Sequence, residues 1–449
     1  MNLKVNVHNL SVEISNLLNK ENINSLAKET GFIHRNRKID GFIFLDIILF
    51  TYFNQKELSL NDLSVEIKKR FGVSISKQSI DERFTNLSVG FFKKVLEKAL
   101  KIVIKEDHQI DFLPYDKVRI KDSTSFQLPE NMVEKYKGSG GSGSKSSLRI
   151  QFEYDLKSSE ILDLNLYESV VQDASDAKAT IGSVRSNELI IRDLAYVSIP
   201  VMQEIEKKEA FYLNRLQTSA IVYQKKGTEF IEIDLTKLRK KMKILGLSIL
   251  EKEVYIGKNE KFKSRMIVET LSNNQYEERI RKAEKTAKKK GRKLSESYKA
   301  KAAINIFITN TDIEAKKVRR LYTLRWQIEL MFKIWKSIGE INKVKKMKVE
   351  RFESFLFAKL IWIVLNWQIM RLSVIYFFKK ENLEVSPYKI FKTLKSSIFD
   401  LKKVLSESTE SLALYIYKNI ELCPSNHFSE KKKRTITWSY DIYRLFKLI

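Results

Sequence analysis

LYTLRWQIELMFKIWKS, Leu321 to Ser337, carries the strongest signal in this 449-residue chain. Tyr322, Arg325, Glu329 and Lys336 stand at offsets 0, 3, 7 and 14. On a helix turning about 100° per residue they project within about 60° of one another. Leu324, Ile328, Met331 and Trp335 take the opposite side, with Leu330 and Phe332 on the flanks. A phenol, a guanidinium, a carboxylate and an ammonium thus share one stripe about 20 Å long, packed down from behind by apolar side chains. Each of the four alone would pass for a solvated helix face. Together, on a helix following a strand, they point to a site.

Outward from this stripe, AAINIFITN (Ala302 to Asn310) reads as a strand. Thr311-Asp312 can cap the next helix, which is predicted from about Ile313 to Ile338. Earlier still, VRIKDSTSF from Val118, LRIQFEYDL (Leu148 to Leu156) and ILDLNLYES (Ile161 to Ser169) alternate with the period of strands. KGSGGSGSKSS, between the first two, reads as a solvated hairpin connection. It is no phosphate-binding loop, because Ser144 stands where such a loop needs Gly before its Lys. ASDAKATIGSVRSN is predicted helical and leads into the apolar run Leu189-Ile190-Ile191, a buried strand with Asp193 at its carboxyl end. A helix (Ile199 to Lys208) and a strand (Phe211 to Leu216) follow, an α/β layer pattern.

Residues 218 to 304 interrupt the alternation. Strand-like pieces at Ile221 to Gln224, Phe230 to Ile233, Leu250 to Ile256 and Arg265 to Thr270 give way to a charged helix. Between Arg279 and Lys301 eleven Lys or Arg face two Glu. A solvated face or phosphate contact through residues such as Lys288, Lys289 and Arg292 are both open readings. In the helical first hundred residues, LSLNDLSVEIKKRFGVSISKQSIDERF (Leu58 to Phe84) has the grammar of a helix-turn-helix. Asn61 can cap the first helix, Gly72 supplies the turn and Ser76 caps the second. Lys77, Gln78, Asp81 and Arg83 would then point outward, where a DNA groove can be read; an ordinary helical hairpin has the same pattern. The remainder, from about 345, is helical and aromatic-rich.

Composition narrows the function. With 82 Lys and Arg against 55 Asp and Glu, the net charge is +27, and 43% of residues are apolar. A foldable chain this basic fits a polyanion partner, nucleic acid above all. One cysteine, Cys423, and four scattered histidines exclude a disulfide framework and a zinc cluster. The amino terminus has no basic segment leading into an apolar stretch, so a cytoplasmic protein is predicted. Phe355 to Phe378, the best candidate membrane span, holds Lys359, Asn366, Gln368 and Arg371. It reads as a buried helix, and no membrane partner is expected.

The spacing Tyr322-x2-Arg325-x3-Glu329-x6-Lys336 resembles the Tyr-Arg-Glu-Lys signature of insertion-sequence-4 type bacterial transposases, members of the DDE transposases. KDSTSFQLP resembles the segment around that family's first Asp, which maps to Asp122. LIIRDLAYVS resembles the segment around the second, which maps to Asp193. TGFIHRNRKID (Thr30 to Asp40) and FITNTD are also similar, so the likeness runs from about residue 25 to about 345.

The resemblance implies an α/β ribonuclease H-like catalytic core with a mainly β insertion, flanked by α-helical N- and C-terminal domains. The limits expected are 1–105 for a helical DNA-binding domain, 106–217 with 305–345 for the core, 218–304 for the insertion, and 346–449 for a helical domain that is the candidate for dimerisation. Asp122, Asp193 and Glu329 would be catalytic metal ligands. Carboxylates brought together repel unless a cation is bound, and oxygen-only donors suit two Mg2+ ions, with Mn2+ as a substitute. Two such ions can activate a water or a DNA 3′-hydroxyl and stabilise the leaving oxygen.

Tyr322, Arg325 and Lys336 would contact DNA phosphate at the transposon end. Trp326, about 40° round from Tyr322, would face DNA or core. Some relatives cut through a DNA hairpin held open by a Trp in the insertion, but all five Trp here lie at or after 326. Tyr223, Tyr255, Phe262, Tyr276 and Tyr298 remain as candidates there. The implied partners are double-stranded DNA, both terminal inverted repeats and target, and a second copy of the chain. A transposase-derived regulator without catalysis and a structure-selective nuclease are the alternative readings.

Overall fold

In the computed structural model the described residues are all except 1–2, 36–37, 52–58, 103–112, 141–143, 159, 217–219, 382, 384 and 428–449. Six helices come first: α1 (Leu3–Leu18), α2 (Lys20–Glu29), α3 (Gly41–Thr51), α4 (Leu60–Phe71), α5 (Lys77–Asp81) and α6 (Asn86–Ala99). The start of α4 corrects the reading of Asn61 as its cap. Ser59 accepts from the Asp62 amide, while the Asp62 carboxylate accepts from the Ser59 amide, a reciprocal capping box. Leu58 lies outside the described residues. Gly72 ends α4 at φ +68°, and Ser76 caps α5, both as expected.

The second helix is shorter than its pattern, ending at Asp81. Arg83 therefore falls in the turn after it, half-buried, while Lys77 and Gln78 are exposed. Asp81 stays half-exposed and receives Arg351 at 3.4 Å.

The sheet has ten strands among the described residues, in the order β3-β2-β1-β4-β5-β10-β9-β8-β6-β7. β1 (Lys117–Leu128), β2 (Ser146–Asp155) and β3 (Ile161–Glu168) form an antiparallel meander. After α7 (Asp173–Thr180), β4 (Glu188–Arg192) lies parallel to β1; after α8 (Ile199–Lys207), β5 (Phe211–Arg215) lies parallel to β4. The right-hand half comprises β6 (Val222–Lys226), β7 (Glu229–Glu232), α9 (Leu235–Ile244), β8 (Ile249–Ile256), β9 (Phe262–Thr270), α10 (Asn273–Lys289), α11 (Glu296–Ala302) and β10 (Ile304–Thr309). β9 pairs with β10 along its length, so the strands of 218–304 extend the main sheet instead of forming one of their own. No sequence pattern had marked α9.

Period-two alternation sorts the two faces. Leu189, Ile191, Leu213, Ile267 and Phe307 join the core shared with the terminal helices. Ile190, Tyr212, Val268, Ile306 and Ile308 join a smaller core under α7 and α8. On β1 the second face is charged. Arg119 bonds Glu153 (3.0 Å) and Glu188 (2.9 Å), and Lys121 bonds Asp163 (2.7 Å) and Asp176 (2.6 Å). All of these charges except the partly exposed Asp163 are buried, and their mutual pairing is what makes that tolerable.

The chain then runs through α12 (Ala315–Thr323), α13 (Gln327–Ser337) and the long α14 (Val349–Glu381) to α15 (Pro387–Ser396), α16 (Ile398–Leu405) and α17 (Thr409–Glu421). α14 packs on α6 and α3, and α17 on α1, so the amino- and carboxyl-terminal helices share one core. Val349–Phe378 is long and apolar enough to cross a membrane by length and composition, yet most of it is buried in this body. Its Lys359 donates to the Glu340 carbonyl (2.7 Å) and its Asn366 to the Trp362 carbonyl (2.8 Å).

Candidate active site

Strand register brings the first two acids together. β1 and β4 run parallel, and their last paired residues are Lys121 and Arg192. Asp122 and Asp193 each follow by one residue, so they stand at the same level on adjacent strands. Asp122 points away from buried Lys121, towards the core shared with the terminal helices.

The signature segment is not one helix from Ile313 to Ile338. α12 begins only at Ala315, and Glu314 precedes it without a side-chain cap. The proposed cap is engaged elsewhere: Thr311 shares a buried hydroxyl contact with Thr309 at 2.9 Å. Leu324–Trp326 then tighten into a 3-10 turn between α12 and α13. The Thr323 hydroxyl donates to the Arg320 carbonyl (2.6 Å), a local bond that competes with regular helix. The tighter turn rotates each of its residues further, so Tyr322 and Arg325 are set out of phase with Glu329 and Lys336 beyond it, and both are buried.

Inward, these two groups join the acids. Arg325 donates to Asp122 Oδ2 at 2.5 Å and to Glu329 Oε1 at 3.1 Å. The Tyr322 hydroxyl donates to Asp193 Oδ1 at 3.1 Å, and its ring packs on Phe307. The stripe expected to face DNA as a whole is thus divided. Tyr322 and Arg325 are buried and spend their donors on carboxylates, while Glu329 and Lys336 reach the surface. Lys336 donates to the Ser125 carbonyl of β1 at 2.9 Å, tying α13 to that strand. Trp326 is exposed.

Burial dominates the electrostatics. It pushes the Asp122 carboxyl up to about 6; Arg325 and the Ser123 amide oppose this, while Asp193 and Glu329 add to it. Burial also disfavours the Arg325 cation, but Tyr322, Asp122, Asp193 and Glu329 more than offset it and raise its pKa. Tyr322 is held as a neutral phenol by burial and by Asp193. Burial lowers Lys336. Among the described residues no group of three or more His, Cys, Asp or Glu is arranged to hold a metal ion. The three acids are linked through Arg325 and Tyr322 instead.

The other sequence candidates lie apart from this centre. Lys77, Gln78 and Arg83 are in the amino-terminal helices. Lys288 and Lys289 end α10 and Arg292 follows it, all three exposed. One residue escaped the sequence reading: Arg215, which ends β5 at the level of Asp193, where Asn214 pairs with Arg192. Arg215 donates to Asn305 Oδ1 at 3.2 Å, the same oxygen that receives Arg279 at 2.7 Å. A basic residue at the end of a strand, two strands from the first acid, was the available signal.

A family model described as "Transposase DDE domain" matches residues 115–365, which hold every residue of this centre. The chain is 29% identical over 445 residues to a transposase for insertion sequence element IS231D of Bacillus thuringiensis subsp. finitimus, covering 94% of this chain and 93% of the relative. It is 30% identical over 419 residues to a transposase for insertion sequence element IS1151 of Clostridium perfringens, covering 88% and 87%.

Proposed function

This chain belongs to the DDE transposase family and is an enzyme of DNA cleavage and strand transfer, and from that premise we propose that it moves its element by a cut-and-paste route. It would bind the terminal inverted repeats, free 3′-hydroxyls at the element ends and join them to target DNA. The observation that supports this best is the pairing of Asp122 and Glu329 with one buried guanidinium, Arg325, while Asp193, at the neighbouring strand end, accepts from Tyr322 of the same segment. A binder without catalysis has no use for a buried Asp122 carboxylate disfavoured by burial and by two neighbouring acids.

Family membership implies dependence on a divalent cation. The donor set fits a hard ion in kind: three carboxylates, no sulfur and no imidazole. Asp122, burdened by burial, is the group that a cation would relieve most. Asp122, Asp193 and Glu329 would hold Mg2+, or Mn2+ in its place, and we favour two ions. Bound there, the metal supplies charge neutralisation at the reacting phosphate and a more acidic attacking hydroxyl.

The chain's own groups do the rest. The Tyr322 hydroxyl orients the Asp193 carboxylate. Arg325, once released from the acids, offers a forked donor to phosphate, and Lys336 offers a point charge further along α13. Positioning and charge, with no protein nucleophile, carry the reaction. Second-strand cutting through a DNA hairpin is compatible with this arrangement and is not required by it.

The division of labour we infer keeps residues 1–105 for DNA binding, 106–217 with 305–345 for chemistry, 218–304 for gripping DNA, and 346–449 for joining two copies into a dimer. The part of that last segment from 428 onward lies outside the described residues. Lys77, Gln78 and Arg83 would meet one stretch of duplex, and Lys288, Lys289, Arg292 and Trp326 another. A cytoplasmic location follows from a DNA substrate in a bacterial cell.

The test is cleavage and joining of labelled DNA carrying the element's ends, with Mg2+ or Mn2+, by the wild type and by Glu329→Gln. Wild-type release and joining, with a variant that binds and does neither, is the expected result. Binding by both without cutting by either would favour the regulator. Cutting that survives in Glu329→Gln would misplace the site.

A further inference from the structure

The right-hand half of the sheet carries a feature that the chemistry above does not use. α9 ends at Ile244, and the run Lys243-Ile244-Leu245-Gly246-Leu247 across that end is exposed throughout. Ile244 is 84% exposed and Leu245 56%, and Leu247 is exposed as well. Single exposed aliphatics are ordinary, but three among four consecutive positions are not.

The knuckle is held in shape. Leu245 N–H donates to the Lys241 carbonyl (3.0 Å) and Leu247 N–H to the Met242 carbonyl (2.9 Å), with Gly246 at φ +62°. This is a Schellman turn, which presents Ile244 and Leu245 at little further cost in ordering. Around them Lys240, Lys241 and Lys243 are exposed. A second copy of so basic a chain would meet like charge here, whereas a polyanion would not.

Register locates the knuckle relative to the acids. Arg192 pairs with Asn214, the next residue Arg215 pairs with Phe307, Phe307 pairs with Ile267, and Ile267 with Glu251. Asp193 is therefore level with Glu251 of β8. Ile249 stands two residues further towards that same edge of the sheet, immediately after the knuckle. The basic pair α10 and α11 leaves β9 and returns to β10 at this edge too, and α11 packs on α9. Arg279 fastens that excursion to the Ala302 (2.9 Å) and Ile304 (3.0 Å) carbonyls.

Resting on the DNA reading of the acids, we propose that Ile244 and Leu245 form an apolar wedge that enters a base step of the bound end duplex while the surrounding lysines hold its phosphates. Apolar side chains do this in basic settings, unstacking a step and kinking the helix. Four strand spacings separate β4 from β8, about 19 Å. For a duplex laid across the strand ends, at 3.4 Å per base pair, the wedged step lies about six base pairs from the phosphodiester that is cut. The site is distinct from the terminal nucleotides beside Arg325.

The experiment uses full-length Glu329→Gln protein, so that DNA is bound and not cut, with duplexes carrying the element's end and 2-aminopurine walked through successive positions. Cut positions are mapped separately with wild type and Mg2+. The expected result is a several-fold rise in fluorescence confined to one step about six base pairs from the cut. Adding Ile244→Ser with Leu245→Ser should return it to the unbound level, with end affinity changed less than about tenfold, because lost insertion and avoided unstacking offset each other. Leu245→Phe should keep the signal.

An unchanged signal in the double serine variant overturns the proposal. So does loss of self-association in that variant with DNA fluorescence intact, which would make a second copy the occupant. If wild type binds end duplex no better than scrambled duplex, the wedge and the reading it rests on both fall; specific binding without the serine effect removes the wedge alone.

Discussion

Arg325→Met tests the central arrangement directly, since it keeps the bulk and removes the cation. Arg325 is 7% exposed in its side chain, against 19% for Asp122 and 45% for Glu329. Breaking a buried pair costs about 3–5 kcal/mol, and breaking an exposed one at most about 1. The Glu329 arm is therefore worth under about 1 kcal/mol. The Asp122 arm is capped, because an orphaned carboxylate can take up a proton. At pH 7.5 a carboxyl whose pKa burial has pushed up to about 6 pays about 2 kcal/mol for that. Metal-free Arg325→Met should accordingly lose about 2–3 kcal/mol at pH 7.5.

At pH 5 Asp122 is already mostly protonated in the wild type, and the loss should shrink to about 1 kcal/mol. Urea unfolding followed by fluorescence, at both pH values, reads the difference. Added Mg2+ should stabilise the variant more than the wild type, since in the wild type it must first displace the guanidinium. Equal urea midpoints for the two proteins at pH 7.5 would refute the claim that Arg325 neutralises this site. An equal loss at pH 5 and 7.5 would refute the part assigned to Asp122.

Asp122→Asn addresses the same carboxyl from the other side. Its folded pKa is raised from 3.8 to about 6, so the fold holds the proton more tightly than the unfolded chain. That contribution is complete below about pH 4 and disappears as pH rises through 6, about 3 kcal/mol in all; the wild-type minus variant stability curve in urea should show it. Glu153→Gln should cost about 3–5 kcal/mol at neutral pH without touching DNA affinity. Burial would raise the Glu153 carboxyl, yet Arg192, Arg119 and Lys121 hold it at about 2, so its pairs should survive to low pH; a variant as stable as wild type in urea would show the network to be dispensable. Replacing Lys288, Lys289 and Arg292 by Gln should flatten the log-log salt dependence of end binding by about 2–3, at roughly 0.9 per phosphate contact; an unchanged slope would place DNA elsewhere.

Much of this protein was legible in its residues. Period-two alternation announced β1 to β3, and a short apolar run announced β4, since a strand buried on both faces reads as continuous hydrophobicity; β5 and β10 were also legible as strands. Asp193 could be placed at a strand end from the apolar run before it, and the spacing of Tyr322, Arg325, Glu329 and Lys336 singled out α13 and its approach. Local chemistry alone sufficed for Gly72 and Ser76, where a left-handed turn and a cap need those residue types.

What depended on partners distant in sequence was not legible. Arg119 and Lys121 are enclosed by Glu153, Glu188 and Asp176, and no local pattern encodes that pairing. α9 carries local end signals, an Asp234 cap and Gly246 in the left-handed turn, but no apolar stripe long enough to mark it between the strands around it. The break at Leu324–Trp326 has no Pro or Gly to announce it. Around it Arg325 and Tyr322 reach acids 203 and 129 residues away. Sequence determines which side chains are available and the period on which they repeat; which charge neutralises which is decided by burial, since a charge removed from water must find its counterpart wherever the fold has put it.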